Sequence, residues 1–152
     1  IYKNNDCIYK ASTILRQRGY EDFTTKLTIQ PDDNMRNTEN IVFSGYIKKE
    51  VVYSEYNSST LVFPSYMETV GLPLLEARQF QTIILASDCP FSREVLVNYE
   101  NAYFFNPFQP EELADLMEKV MNGQIKKRHL VHIAKSDKDN SWGRVVKEVV
   151  DI

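Results

Sequence analysis

Cysteine is scarce in this chain: Cys7 and Cys89 are the only two among 152 residues, far apart and in no metal-like spacing. That argues against a disulfide framework or a thiolate metal site and leaves two free thiols in a reducing compartment. Metal ligands of other kinds are thin too. His129 and His132 stand three apart on an expected helix, but no nearby carboxylate or cysteine completes a set. A basic surplus is also missing, with 18 Lys and Arg against 21 Asp and Glu and a net charge of -3. Nucleic acid is therefore not expected as a partner, while an anionic small ligand needs only a local positive site. No long apolar run and no signal segment occur, which predicts a cytoplasmic chain that neither spans a membrane nor is secreted by that route. Repeats and low-complexity segments are absent. What is present is an ordinary globular composition, 43% hydrophobic and 26% charged, over a length that suits one domain and not two.

The stretch that organises the chain is LVFPSYMETVGLPLLEARQFQTIILASD, residues 61–88. The segment Thr60 to Phe63 reads as a buried strand ending at Pro64 and Ser65. A polar loop with Glu68 follows, and Gly71 and Pro73 turn the strand into a helix, roughly Pro73 to Phe80. A second apolar strand, Thr82 to Ala86, closes the unit at Ser87 and Asp88. Glu76 lies three residues into that helix, or ~4.5 Å of rise, and helical side chains lean toward the N-terminus. Both glutamates should therefore reach the same mouth, beyond the carboxyl ends of the strands, where open α/β sheets bind ligands. The helix N-terminus there favours a phosphate. Two acids beside an anion site repel a bare phosphate, but they accept hydrogen bonds from hydroxyl groups of a sugar that carries one. That points to a nucleotide sugar. The plainer reading of Glu76 is an acid that complements the helix dipole.

The rest of the chain alternates in the same way. Ile8, Ala11, Ile14 and Leu15 share a helical face, with Gly19 as C-cap. Lys26 to Gln30 reads as a strand, residues 31–40 as a polar loop, and Ile41 to Ser44 as a strand that Gly45 ends. Lys48 to Tyr56 is a short helix; after the central unit come a helix at Pro90 to Val97 and a fifth strand at Ala102 to Phe105. Pro110 to Met121 is an amphipathic helix with acids in its first turn and Asn122-Gly123 at its end. Helical segments are also expected at about Lys126 to Lys135 and Ser141 to Val150. Short apolar strands alternating with helices predict a mostly parallel sheet covered on both faces.

The string Pro64-Ser65-Tyr66-Met67-Glu68-Thr69-Val70-Gly71-Leu72-Pro73-Leu74-Leu75-Glu76-Ala77 resembles the Pro-Ser-x-x-Glu-x-Phe-Gly-x-x-x-x-Glu-Ala signature of retaining nucleotide-sugar glycosyltransferases of GT-B fold, the glycosyl transferases group 1. Seven residues separate the two glutamates here, as in that signature. Val70 replaces the commoner Phe. Asn40-Ile41-Val42-Phe43-Ser44-Gly45 is similar to the family's strand-then-glycine beside the base slot. Residues 87–95 resemble its Gly-Gly then Pro-Glu-Val segment, but Pro90-Phe91 stand there without the glycines, and Gln30 replaces a usual glycine. Tyr2-Lys3-Asn4 resembles the second half of a first-strand pattern whose Arg half is missing.

The resemblance implies a Rossmann-like three-layer sandwich, with 1–152 the single donor-binding, C-terminal half of such an enzyme and the N-terminal acceptor domain absent. The family's domain has six strands, and the one lacking here is expected in mid-sheet. It further implies that Glu68 contacts the donor sugar as the catalytic residue and that Glu76 holds the ribose hydroxyls. Backbone N–H groups of Val70, Gly71 and Leu72 would face the diphosphate or sugar, and Lys3 would neutralise the leaving diphosphate. Gly45, Tyr46 and Ile47 would line the base slot and Arg93 would serve as a phosphate ligand. Each has a plain alternative: solvated acid, turn glycine, surface lysine, packing, helix-surface arginine. The donor implied is a UDP- or GDP-linked sugar, with no cofactor and no divalent cation. The acceptor would be a glycan or lipid-linked sugar, bound through the absent domain. Basic Ile125-Lys126-Lys127-Arg128 would allow peripheral contact with an anionic membrane or be a solvated helix start. Trp142, Val145, Val146 and Val149 form an apolar stripe for core packing or domain docking. Three readings compete: a glycosidase using Glu68 and Glu76, a non-catalytic α/β module, and a nucleotide-sugar epimerase of similar fold.

Overall fold

Helix α1, Asn5–Gln17, buries Cys7, Ile8, Ala11, Ser12 and Leu15, positions that recur at three- and four-residue spacing and so line one face. Its end is a Schellman turn: Gly19, at φ 89°, donates to Arg16 O, and Tyr20 N–H reaches Leu15 O at 3.0 Å. This computed structural model describes residues 2–30 and 40–128. The order continues with β1 (Thr25–Leu27), β2 (Ile41–Phe43), α2 (Lys49–Ser58), β3 (Thr60–Phe63) and α3 (Leu72–Gln79). Then come β4 (Ile83–Ser87), α4 (Pro90–Val95), β5 (Ala102–Phe105) and α5 (Pro110–Met121). α5 ends as expected at Asn122-Gly123, again by a Schellman turn, with Gln124 N–H on Lys119 O at 2.9 Å.

Every strand pair is parallel, with β3–β4–β5 in one sheet and β1–β2 in another. All five residues of β4 are buried because it is the central strand of three and both of its faces are covered. Ile83 and Leu85 join Phe105, Leu113, Leu15 and Leu27 in a core beneath α1 and α5. Ile84 and Ala86, pointing the other way, join Tyr56, Phe63, Leu74, Ala77 and Leu96 beneath α2, α3 and α4. Completely buried side chains such as Ile84, Leu85 and Leu74 each contribute about 1.5–3 kcal/mol of burial energy. The result is the expected Rossmann-like α/β/α sandwich.

Several particulars differ from the expectation, among them β1, which ends at Leu27 rather than Gln30, and α4, which ends at Val95 rather than Val97. The described strands form two sheets rather than one. Pairing of β1 with β2 stops at Leu27 and Phe43 because Gly45, at φ 59°, turns the chain out of the ladder. The helix α3 begins one residue early, with Gly71 at φ 72° as its cap and Pro73 just inside. The helix expected from Lys126 has no first turn: Arg128 N–H is bonded to Asn101 Oδ1 at 2.8 Å and its carbonyl accepts from Asn101 Nδ2 at 2.9 Å. The remainder of that segment, the helix at Ser141 to Val150, the Trp142 stripe and both histidines lie outside the described residues.

Candidate functional site

The mouth of the three-stranded sheet is closed by polar contacts that local sequence creates. Pro64 ends β3 because it brings no N–H to the ladder. Ser65 follows, and its carbonyl accepts from the buried hydroxyl of Ser87 at the end of β4. Ser92 on α4 donates in turn to Ser87 O, so the strand end and the helix start are tied together. Above this floor runs the loop from Tyr66 to Gly71.

Glu68 sits in that loop with its side chain only 16% exposed, and Lys3 Nζ lies 2.5 Å from its Oε1. A long-range pair of this kind brings together two of the residues singled out from sequence, 65 positions apart. No carbonyl or side chain among the described residues accepts from the N–H groups of Val70, Gly71 or Leu72. Gly71 itself is crowded, since a Cβ there would meet Leu74 Cδ1 at 3.3 Å and the Phe91 ring at 3.6 Å. Its left-handed backbone favours glycine for a second reason.

Glu76 is the fifth residue of α3, one turn deeper than Glu68's loop. Its Oε2 accepts from Tyr56 Oη at 3.5 Å, and Lys49 Nζ stands 3.9 Å from Oε1. Lys49 opens α2, shortly beyond the carboxyl end of β2, so Glu76 does face the rim. Burial, then the Glu76 charge, pushes the Tyr56 hydroxyl up to about 12. Lys49 was not anticipated from sequence. Its ammonium is held above its usual range first by Tyr53, over whose ring it lies at 5.3 Å, and by the charge of Glu76. The signal was there in Lys48-Lys49 following the Gly45 turn, but only pairing with Glu76 distinguishes one lysine from the other.

Gly45, Tyr46 and Ile47 follow β2 at the same end of the strands. Gly45 is buried, Tyr46 is 93% exposed, and Ile47 is half-buried. Gln30 fills the space over Gly45: a Cβ on that glycine would overlap the Gln30 amide. The ring of Tyr46 is thus free to stack, beside an amide that the adjacent parallel strand delivers.

Arg93 is turned elsewhere. Its guanidinium makes two hydrogen bonds to Asp88, at 2.7 and 2.8 Å, and lies 3.8 Å from the centroid of Phe104. Those bonds hold the Asp88 carboxyl below its usual range and raise the guanidinium. Of the basic run, Ile125 is buried, Lys127 donates to Asn57 O and Arg128 pairs with Glu100. The surface depressions of about 460 and 550 Å³, one around Arg18 and Glu118 and one around Arg93 and Tyr99, lie away from the Lys3–Glu68 pair, and the first is spanned by the Arg18 ion pairs. Among the described residues no cluster suits a metal ion, and no helix is long and apolar enough to cross a membrane.

Comparison with known proteins agrees with this geometry. The family model for glycosyl transferases group 1 matches residues 25–137, which include the loop of Glu68, all of α3 and the Gly45 turn. An uncharacterized glycosyltransferase of Methanocaldococcus jannaschii, MJ1607, is 26% identical over 115 residues, 74% of this chain and 30% of that protein. The serotype-specific mannosyltransferase WbdA of Escherichia coli is 30% identical over 113 residues, 73% of this chain and 14% of that protein. The chain therefore spans under a third of the length of these relatives. A strand end that places one glutamate in a loop and a second on the following helix, under a model covering most of the chain, identifies it: the protein belongs to the glycosyl transferases group 1 family.

Proposed function

We propose that this chain is the donor-binding half of a retaining glycosyltransferase, taking a nucleoside-diphosphate hexose and handing the sugar to an acceptor hydroxyl supplied by another domain. The observation that carries this is the Lys3–Glu68 pair at the strand mouth, next to the unclaimed N–H groups of Val70, Gly71 and Leu72. Positive charge and open donors suit a diphosphate, while a carboxylate at their side suits sugar hydroxyls. In the reaction the sugar–phosphate C–O bond breaks, a C–O bond to the acceptor oxygen forms on the same face, and the acceptor hydroxyl's proton passes to the departing diphosphate. Lys3, with Lys49 at the rim, takes up the charge of the departing diphosphate. Glu68 orients the sugar, and Glu76 accepts from the ribose hydroxyls. Tyr46 stacks on the base beside Gly45 and Ile47. Arg93 reaches the phosphates only by leaving Asp88, so it is the weakest of the contacts.

The split between the two parallel sheets supports the reading that a further strand stands between them in a longer chain. The short coverage of the relatives supports a separate acceptor domain, and the name mannosyltransferase borne by one of them supports hexose transfer. A glycan or lipid-linked sugar is the acceptor class that fits, within polysaccharide synthesis on the inner face of a membrane.

The test is a titration of this chain with UDP, GDP and their sugars, read by calorimetry or ligand NMR. One diphosphate should bind, its sugar conjugate more tightly. Glu68→Gln should cancel the sugar's increment while the free diphosphate still binds. No binding at millimolar nucleotide, both here and in a longer chain carrying the preceding strand, would overturn the donor reading.

A further inference from the structure

We propose that Asn4 is a positioning residue for Lys3, holding it at the strand mouth where the donor diphosphate would leave; the step from Lys3 to a phosphate rests on the donor reading above. Asn4 stands at the N-cap of α1, a place where asparagine ordinarily turns its side-chain oxygen onto the first helical N–H groups. Here it makes no such cap. Its amide nitrogen donates instead to Pro64 O at 3.3 Å and to Pro107 O at 2.7 Å. Pro64 directly follows β3 and Pro107 lies two residues beyond β5. One NH2 group therefore ties the carboxyl ends of the two strands that flank β4.

The backbone is arranged to allow it. Asn4 sits at φ 52° and ψ 39°, left-handed space that asparagine tolerates better than other residues with a side chain. On the other side of Lys3, the Tyr2 carbonyl accepts from Tyr66 N–H at 3.2 Å. Lys3 is thus held between two anchors on the Pro64–Tyr66 segment, and its ammonium arrives 2.5 Å from Glu68 Oε1. A half-exposed lysine loses much rotamer freedom in such a fixed place, and rigid attachment at its base reduces what remains to be lost. The polar side chain that would normally stabilise a helix start is spent on aiming its neighbour.

The experiment compares Asn4→Ala, Asn4→Gly and Lys3→Ala with the parent chain in two measurements. Without any ligand, acetylation of each lysine is followed by peptide mass spectrometry. Lys3 should react up to about fivefold faster in Asn4→Ala, as expected for loss of a half-exposed ion pair, while Lys26, paired with Glu55, keeps its rate. Asn4→Gly preserves the left-handed backbone and should share the rise, which assigns the effect to the amide. The second measurement is affinity for inorganic pyrophosphate. Asn4→Ala and Lys3→Ala should each weaken it by about tenfold, and the double variant no further, because the two act as one unit. An unchanged Lys3 rate in a folded Asn4→Ala, or additive losses in the double variant, overturns the proposal. Should Asn4→Ala not fold, the same two measurements on Asn4→Gly decide the matter. A faster Lys3 in a protein that binds neither pyrophosphate nor nucleotide upholds the positioning and overturns the donor reading alone.

Discussion

The Tyr56 hydroxyl on α2 reaches Glu76 Oε2 on α3 at 3.5 Å, so a buried phenol backs this helix-borne carboxylate. The contact is long, and its partner across the rim, Lys49, is farther still at 3.9 Å. Glu76 is oriented without being consumed, and its oxygens stay available to hydroxyl groups.

It follows that Glu76→Ala should separate binding from stability. Loss of a carboxylate that accepts from ribose hydroxyls should weaken nucleotide binding by about tenfold or more, since charged hydrogen bonds contribute roughly 1.5–3 kcal/mol. Stability should fall by less than about 1 kcal/mol, because the Tyr56 contact is weak and Lys49 is exposed. Thermal melts with and without nucleotide measure both; an unchanged ligand-dependent shift would remove Glu76 from the site.

Gly45→Ala should cost about 1–2 kcal/mol through its left-handed backbone. The clash with Gln30 is a lesser matter, as that amide ends a flexible, exposed side chain. Urea unfolding of Gly45→Ala and of the double variant with Gln30→Ala decides between the two causes. Strain predicts nearly equal losses, whereas overlap predicts recovery in the double variant.

The Asp88–Arg93 pair should be felt only in a defined pH range. Because Arg93 lowers the native pKa of Asp88, the pair's contribution is whole above the ordinary carboxylate value of 3.8 and is lost as pH falls through the depressed one. Both groups are about half exposed, so the amount stays under ~1 kcal/mol. The stability deficit of Asp88→Asn should accordingly be larger at about pH 6 than at about pH 2.5. An equal deficit at both would assign it to packing.

The two thiols should behave differently. Burial, and then Asp6, pushes Cys7 up to about 11, and its side chain is sealed under α1. Thiolate is the reactive form, so Cys7 should be silent toward a disulfide reagent at about pH 8 while half-exposed Cys89 reacts. Both should react after denaturation. Two fast thiols in the folded protein would show that α1 opens readily.

Local pattern was enough to read most of the described elements and the loop of Glu68 from the chain, though not the segment from Lys126. Helix faces such as Ile8, Ala11 and Leu15, the glycine stops at Gly19 and Gly123, and the strand-breaking Pro64 all act within a few residues of themselves. The spacing of Glu68 and Glu76 across a Gly-Pro turn is equally local, and it placed both carboxylates at one end of the strands. What each charge meets emerged only with the packed layers. Lys3 finds Glu68, Asn4 finds Pro64 and Pro107, and Arg93 turns to Asp88 and Phe104. The division of the strands into two sheets is likewise set by backbone pairing between distant segments. A side chain's partner across tens of residues depends on how helices and strands stack, while a turn or a cap depends only on its neighbours in the chain.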